Sequence, residues 1–158
     1  MGLVALFFSG SMVLAQTQRQ VLEELYDATD GPNWNRQSDW KTGVDECSWE
    51  EVVCVDGVVT RLGLGQNNMT GSLPASLATL TGLEFLALNR NQLTGGFPDV
   101  TGLSALSVLR LFENDLSGPL PSGLSSMTSL VDLRLDDNAF SGPIPDLSAL
   151  SSLELFRA

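Results

Sequence analysis

Leucines recur along the chain in pairs separated by one residue, and the pairs return at a near-constant interval. They are Leu62/Leu64, Leu86/Leu88, Leu109/Leu111 and Leu133/Leu135. Behind each pair stands an asparagine, Asn67, Asn91, Asn114 or Asn138, at intervals of 24, 23 and 24 residues. Gly71, Gly95, Gly118 and Gly142 follow in phase, then Pro74, Pro98, Pro121 and Pro145. A fixed period of this length means stacked supersecondary units, none of which can bury its apolar face alone.

One unit can be read residue by residue. The Leu-x-Leu alternation predicts a short strand with one face inward. The asparagine is expected to turn the chain and to bond the backbone of adjacent coils, so that Asn67, Asn91, Asn114 and Asn138 form a structural ladder. Met69, Leu93, Leu116 and Phe140 are expected to point back into the core. Glycine then permits a sharp bend, and proline restricts φ as the chain crosses to the convex side. Ahead of the repeats, Gln20 to Thr29 carries Val21, Leu22, Leu25, Tyr26 and Ala28 at helical spacing, which predicts one amphipathic helix.

Two further segments change the picture. Met1 to Ala15 is strongly apolar and short for a bilayer span, with small residues ahead of polar Gln16. It reads as a secretory signal peptide cleaved after Ala15. Cys47 and Cys54 are the only cysteines, and in an exported chain an even count at short spacing suggests a disulfide. Charge narrows the function classes. With 8 Lys and Arg against 19 Asp and Glu, the net charge is −11. Nothing would neutralise a run of phosphates, so a nucleic-acid partner is excluded, as is a polybasic membrane surface. There is no histidine, which removes histidine triads and histidine metal sites. Two thiolates alone leave a metal's coordination unfinished, so no metal or other cofactor is expected.

The units LEFLALNRNQLTGGFP, LSVLRLFENDLSGPLP and LVDLRLDDNAFSGPIP resemble the plant-type leucine-rich repeat, LxxLxLxxNxLxGxIP. Four units match, and a fifth begins at Leu153. The resemblance implies an α/β solenoid, a right-handed superhelix with a short parallel β-sheet on its concave side and a helical N-terminal cap. The segment CSWEEVVC is similar to the family's cap motif CxWxGVxC, with Glu51 where the family has glycine. The chain accordingly divides into a leader (1–15), a disulfide-bonded cap (16–57) and four repeats with the start of a fifth (58–158). Trp34, Trp40 and Trp49 are expected to pack the cap rather than to stack on sugars.

Outward positions of the strands define a candidate binding face. The rows read Arg61-Gly63-Gly65, Phe85-Ala87-Asn89, Val108-Arg110-Phe112 and Asp132-Arg134-Asp136, followed by Leu155-Arg157. Candidate ligand-binding residues are Phe85, Arg110, Phe112, Asp132, Arg134, Asp136 and Arg157, with Arg110, Arg134 and Arg157 in one column. Arginine offers paired donors to carboxylates, and arginine and aromatic residues are the types enriched in binding hot spots. The same charges also fit a second reading, in which they satisfy one another and keep an exposed sheet soluble. Replacing Arg110 and Arg134 together by alanine is expected to weaken ligand capture and leave the fold intact. An enzyme would have to use the carboxylates Asp132, Asp136, Asp137 and Glu113 on an open, shallow face lined with arginine, and no catalytic residue is assigned. The one N-x-Ser/Thr sequon makes Asn68 a glycosylation candidate.

For function, the resemblance implies an extracellular binding protein, secreted or held at the cell surface or cell wall, that recognises a protein, peptide or cell-wall glycan. The alternatives are a truncated ectodomain of a leucine-rich-repeat receptor kinase and a structural cell-surface glycoprotein. No membrane insertion of the mature chain is expected unless it is a receptor fragment. At the C-terminus, Leu147, Leu150 and Phe156 are expected to be exposed and to drive self-association.

Overall fold

A computed structural model describes residues 16–158, so the expected leader lies outside the described residues. The cap opens with helix α1, Gln18–Ala28, two residues earlier than its apolar pattern indicates. Thr17 sets that start. Its side chain accepts from the Gln20 amide while the Gln20 side chain accepts from the Thr17 amide, a reciprocal capping box. Val21, Leu22 and Leu25 are buried on the inner face. Beside them, Trp34, Trp40 and Trp49 are 3%, 4% and 2% exposed, with ring centroids 4.9 Å and 5.0 Å apart along the series. Their burial leaves no ring free to stack on a sugar.

Strands β1 (Val52–Val55) and β2 (Val58–Gly63) form an antiparallel hairpin. From β2 the concave sheet continues in parallel through β4 (Phe85–Ala87), β6 (Val108–Arg110), β8 (Asp132–Arg134) and β10 (Leu155–Arg157). The cap therefore contributes an edge strand to the concave sheet, which the repeat pattern alone does not indicate. Register is in phase throughout, with Leu62, Leu86, Leu109, Leu133 and Phe156 side by side. The four leucines are fully buried, and each such burial stabilises by about 1.5–3 kcal/mol.

A second parallel sheet, not anticipated, runs along the flank: β3 (Thr70–Ser72), β5 (Gln92–Gly96), β7 (Asp115–Pro119) and β9 (Ala139–Ser141). Its inner positions are Met69, Leu93 and Leu116, all fully buried, and Phe140, which is partly buried. Gly71, Gly95, Gly118 and Gly142 sit at φ from 77° to 82°, the left-handed region that glycine occupies without a Cβ penalty. On the convex side two short 3-10 turns, Ala75–Thr79 and Ser122–Ser126, carry the crossing.

Two expectations need correction. The sharp turn after each concave strand falls on the residue before the asparagine. Gln66, Arg90, Glu113 and Asp137 all have φ between 53° and 58°, while the asparagine itself tethers the turn to its neighbours. Leu150 is 5% exposed and so is part of the core, and Leu147 packs half-buried against it, whereas Phe156 is 38% exposed.

Candidate functional site

Each asparagine of the ladder reaches across to the preceding coil. Asn91 Oδ1 accepts from the amides of Asn67 and Met69 at 2.9 and 3.0 Å, and its Nδ2 donates to the carbonyls of Leu64 and Leu88. Asn114 and Asn138 repeat the pattern onto Leu93 and Leu116. Asn67 has no repeat before it and instead pairs with both backbone groups of Arg36, docking the cap. Cys47 and Cys54 are bonded, with Cα atoms 5.5 Å apart, and pin β1 to the turn at Glu46–Ser48. This rigid frame fixes where the outward side chains of the concave sheet stand.

Three columns cross that sheet. The register pairs Arg61, Phe85, Val108, Asp132 and Leu155 in the first, and Gly63, Ala87, Arg110, Arg134 and Arg157 in the second. Gly65, Asn89, Phe112 and Asp136 follow in the third, two residues further on. Arg110, Arg134 and Arg157 thus lie on neighbouring strands, about 4.8 Å apart by sheet geometry.

The charges of this face are largely committed to one another. Asp132, only 8% exposed, takes Nε and Nη2 of Arg110 on one oxygen at 2.9 and 2.8 Å, and Nε of Arg134 on the other at 2.9 Å. Asp132 is therefore the keystone of the arginine column rather than a freely presented acid. Substituting Arg110 and Arg134 together would strand a buried carboxylate, so that double change is expected to cost stability as well as ligand capture. Glu113 pairs with Arg90 at 3.0 Å and not with the column. Asp136 is half-buried, and its Oδ1 is sealed from solvent and accepts no hydrogen bond among the described residues. Such an atom is costly unless something donates to it.

Arg61 and Arg157 are the two cations with no carboxylate within 4 Å among the described residues. The guanidinium carbon of Arg61 lies 3.5 Å from the centroid of Phe85, and that of Arg110 lies 5.6 Å from the same ring. Phe112 is approached in the same way by Arg90 at 5.6 Å. Each such contact is worth about 0.5–1 kcal/mol at an exposed site. The structure thus brings Arg110, Asp132 and Arg134 into one network, places Phe85 against Arg61 and Arg110, and leaves Phe112, Asp136 and Arg157 around a recess at the C-terminal end of the face. Sequence reasoning left Arg61 and Arg36 out of the site. The row position of Arg61 was its one available signal.

Asn68, the sequon residue, is exposed with φ at 58°. Its Nδ2 donates to the Asn33 carbonyl at 2.9 Å and its Oδ1 accepts from Gln92. A primary amide has two hydrogens, so one remains for attachment.

No protein-family model matches the chain. Among curated proteins it is similar to the receptor-like kinase TMK4 of Arabidopsis thaliana, 31% identical over 100 residues, which are 63% of this chain and 10% of TMK4. The chain spans about a tenth of the length of the curated relatives it matches. Among solved structures it is similar to the BIR2 ectodomain from Arabidopsis thaliana, with a TM-score of 0.81 and 29% identity over 89% of this chain and 78% of that one. It is also similar to PEPR1, solved with AtPEP1, with a TM-score of 0.72 and 26% identity over 87% of this chain and 20% of that one.

Proposed function

As the chain is a plant-type leucine-rich-repeat protein, we propose that it is an extracellular recognition module whose concave sheet binds a protein or peptide segment. The observation that carries this reading is the pattern of incomplete pairing on that sheet. Six of the chain's eight cations are held by carboxylates, while Arg61 and Arg157, both on the concave face, have none within 4 Å among the described residues. Asp136 Oδ1 is a buried acceptor without a donor on the same face. A peptide supplies both partners, since it offers carboxylates to the arginines and amide hydrogens to the aspartate. The similarity to a plant peptide hormone receptor, RGFR1, solved in complex with RGF2, supports this choice of ligand class.

The ligand-binding residues proposed are Phe85, Arg110, Phe112, Asp132, Arg134, Asp136 and Arg157. Asp132 acts by holding the two arginines in place and the others act by contact. No catalytic role is assigned, because Asp132 and Glu113, two of the four acids an enzyme would need, are already tied to arginines. The leader at 1–15, the cap at 16–57 and repeats at 58–158 belong to the same proposal, as does secretion. A second reading, a segment of a receptor ectodomain, is favoured by the receptor kinases among the relatives and by the small share of their length that the chain spans. Both readings put recognition on the same face.

Affinity capture from extracellular fluid tests the proposal. The wild-type chain should retain a discrete protein or peptide. Phe112→Ala with Arg157→Ala, which strands no buried charge, should lose it while melting within a few degrees of wild type. Undiminished capture by that variant would move the site off the concave sheet.

A further inference from the structure

At the N-terminal end of the concave face the cap and the first repeats enclose a shallow recess of about 360 Å³. Its walls are Arg36, Arg61 and Arg110, and its floor is Gly63 and Ala87. One acid leans into it. Glu51 occupies the position where the resembling cap motif has glycine, and it has a φ of 66°, a conformation that glycine adopts freely and glutamate only against steric resistance. From there its carboxylate receives Arg36 Nη1 at 2.9 Å and extends over Gly63. A Cβ added at Gly63 would come within 2.6 Å of Glu51 Oε2, and Arg61 Nε lies 4.0 Å from that same point. The missing side chain at Gly63 is thus what lets a carboxylate stand between Arg36 and Arg61, at the head of the column that continues as Ala87 and Arg110.

We infer that this recess is a carboxylate subsite, and that it takes an acidic side chain of a peptide laid along the concave sheet. The inference rests on the concave-face reading above and adds a place and a chemistry to it. Three observations carry it. The recess already accommodates one carboxylate, Glu51, so its size and its donors suit the group. Arg61 spends none of its N–H groups on the described residues and is held in place by Phe85. The local balance is also opposite to that of the molecule, because three arginines face Glu51 and Asp132 in a chain of net charge −11.

The ring of Phe85 decides between ligand classes. Sugars are held by stacking on an open aromatic face, and the Arg61 guanidinium covers this one at 3.5 Å. Glu51 then acts as a resident competitor. It neutralises Arg36 and repels an incoming acid, which limits binding to segments with enough charge to overcome it.

The probe is an acetylated, amidated hexaglutamate peptide titrated into the isotopically labelled chain at about 0.15 M salt, where charges further apart than about 8 Å are screened. Hexaglutamine and an oligomer of galacturonic acid run in parallel. Hexaglutamate should move the amides of Gly63, Gly65 and Ala87, and hexaglutamine should not. Arg61→Ala should weaken the binding roughly tenfold, the worth of a hydrogen bond to a charged group. Glu51→Gln, which keeps the shape and removes the charge, should strengthen it about threefold, as expected for relief of like-charge repulsion across water. Lys41→Ala, which removes an exposed cap cation outside the recess, should leave it unchanged.

Shifts confined to Arg134 and Arg157 would overturn the subsite and leave the concave-face reading standing. So would the absence of any hexaglutamate response while the captured partner still protects the concave strands. A response at Gly63 to the galacturonic acid oligomer and not to hexaglutamate would overturn the choice of a peptide. If the captured partner protects no concave strand, the broader reading fails as well.

Discussion

Replacing Asn114 by alanine removes three hydrogen bonds in the middle of the stack, and the structure sets how much each loss costs. Asn114 is 8% exposed. Its Oδ1 receives the Leu93 amide at 3.1 Å, and its Nδ2 serves the carbonyls of Leu88 and Leu111 at 3.0 and 2.9 Å. The losses differ in kind. Leu88 O keeps a bond from Asn91 Nδ2 at 2.8 Å and Leu111 O keeps one from Asn138 Nδ2 at 3.0 Å, so each carbonyl falls from two donors to one. The Leu93 amide loses its side-chain partner in a residue that is fully buried, where water does not replace it. An unsatisfied buried donor costs about 1–3 kcal/mol and each lost bond that leaves a partner about 0.5–1 kcal/mol. The sum is roughly 3 kcal/mol, a large fraction of the 5–15 kcal/mol that holds a domain together. Asn138→Ala removes the matching set, including the bond to the amide of fully buried Leu116, and should cost about 2–3 kcal/mol. Urea unfolding followed by far-ultraviolet circular dichroism measures both. Tryptophan fluorescence reports the cap separately, since Trp34, Trp40 and Trp49 all lie there. Equal costs below about 1 kcal/mol for the two variants would show that the ladder does not hold the coils together.

Arg110→Ala with Arg134→Ala should destabilise by about 3 kcal/mol through the stranded Asp132, and adding Asp132→Asn should restore most of the loss; failure of the third change to rescue would refute the keystone role. Reduction of Cys47–Cys54 should cost about 2.5 kcal/mol for so short a loop, read as a lower urea midpoint for tryptophan fluorescence, and an unchanged midpoint would contradict it. Glu51→Val should cost about 1–2 kcal/mol because a β-branched residue resists positive φ, whereas Glu51→Gly should fall within about 0.5 kcal/mol of wild type; equal melting of the two would refute the strain. The Thr101 hydroxyl and amide hold the Asp99 carboxyl below the usual carboxylate range, and the Ser148 amide does the same for Asp146. Their folded values lie under the unfolded ones, so their contribution is present above about pH 4 and is lost as pH falls through the lowered values; resonance titration of the two carboxyls at about 3.9 would contradict this.

The stacked architecture was legible because its signal is a period, and periods survive substitution at any one site. The concave rows were legible for the same reason, since alternation about Leu86, Leu109 and Leu133 places Phe85, Arg110 and Arg134 on one face. The flanking sheet was not. Gln92–Gly96 contains two glycines and no β-branched residue except Thr94, a composition that reads as a turn, and only the matching turns on either side hold it extended. The left-handed residues before each asparagine were hidden because none of Gln66, Arg90, Glu113 and Asp137 is glycine. Pairing was the least visible layer. Alternation put Asp132 outward, yet two arginines from adjacent repeats fold over it. The recess at Arg36, Glu51 and Arg61 joins residues of the cap to the first repeat, and no local pattern records that contact. Glu51 itself stood out in the sequence only as a departure from the cap motif, and its role became visible with Gly63 beneath it.

The central claim is that recognition occurs on the concave sheet, and hydrogen exchange of the chain free and bound to its captured partner tests it directly. Binding should slow exchange in Phe85–Ala87, Val108–Phe112 and Asp132–Asp136 while leaving the flanking strands Gln92–Gly96 and Asp115–Pro119 unchanged. Slowing confined to the flanking strands or to the cap helix Gln18–Ala28 would contradict it.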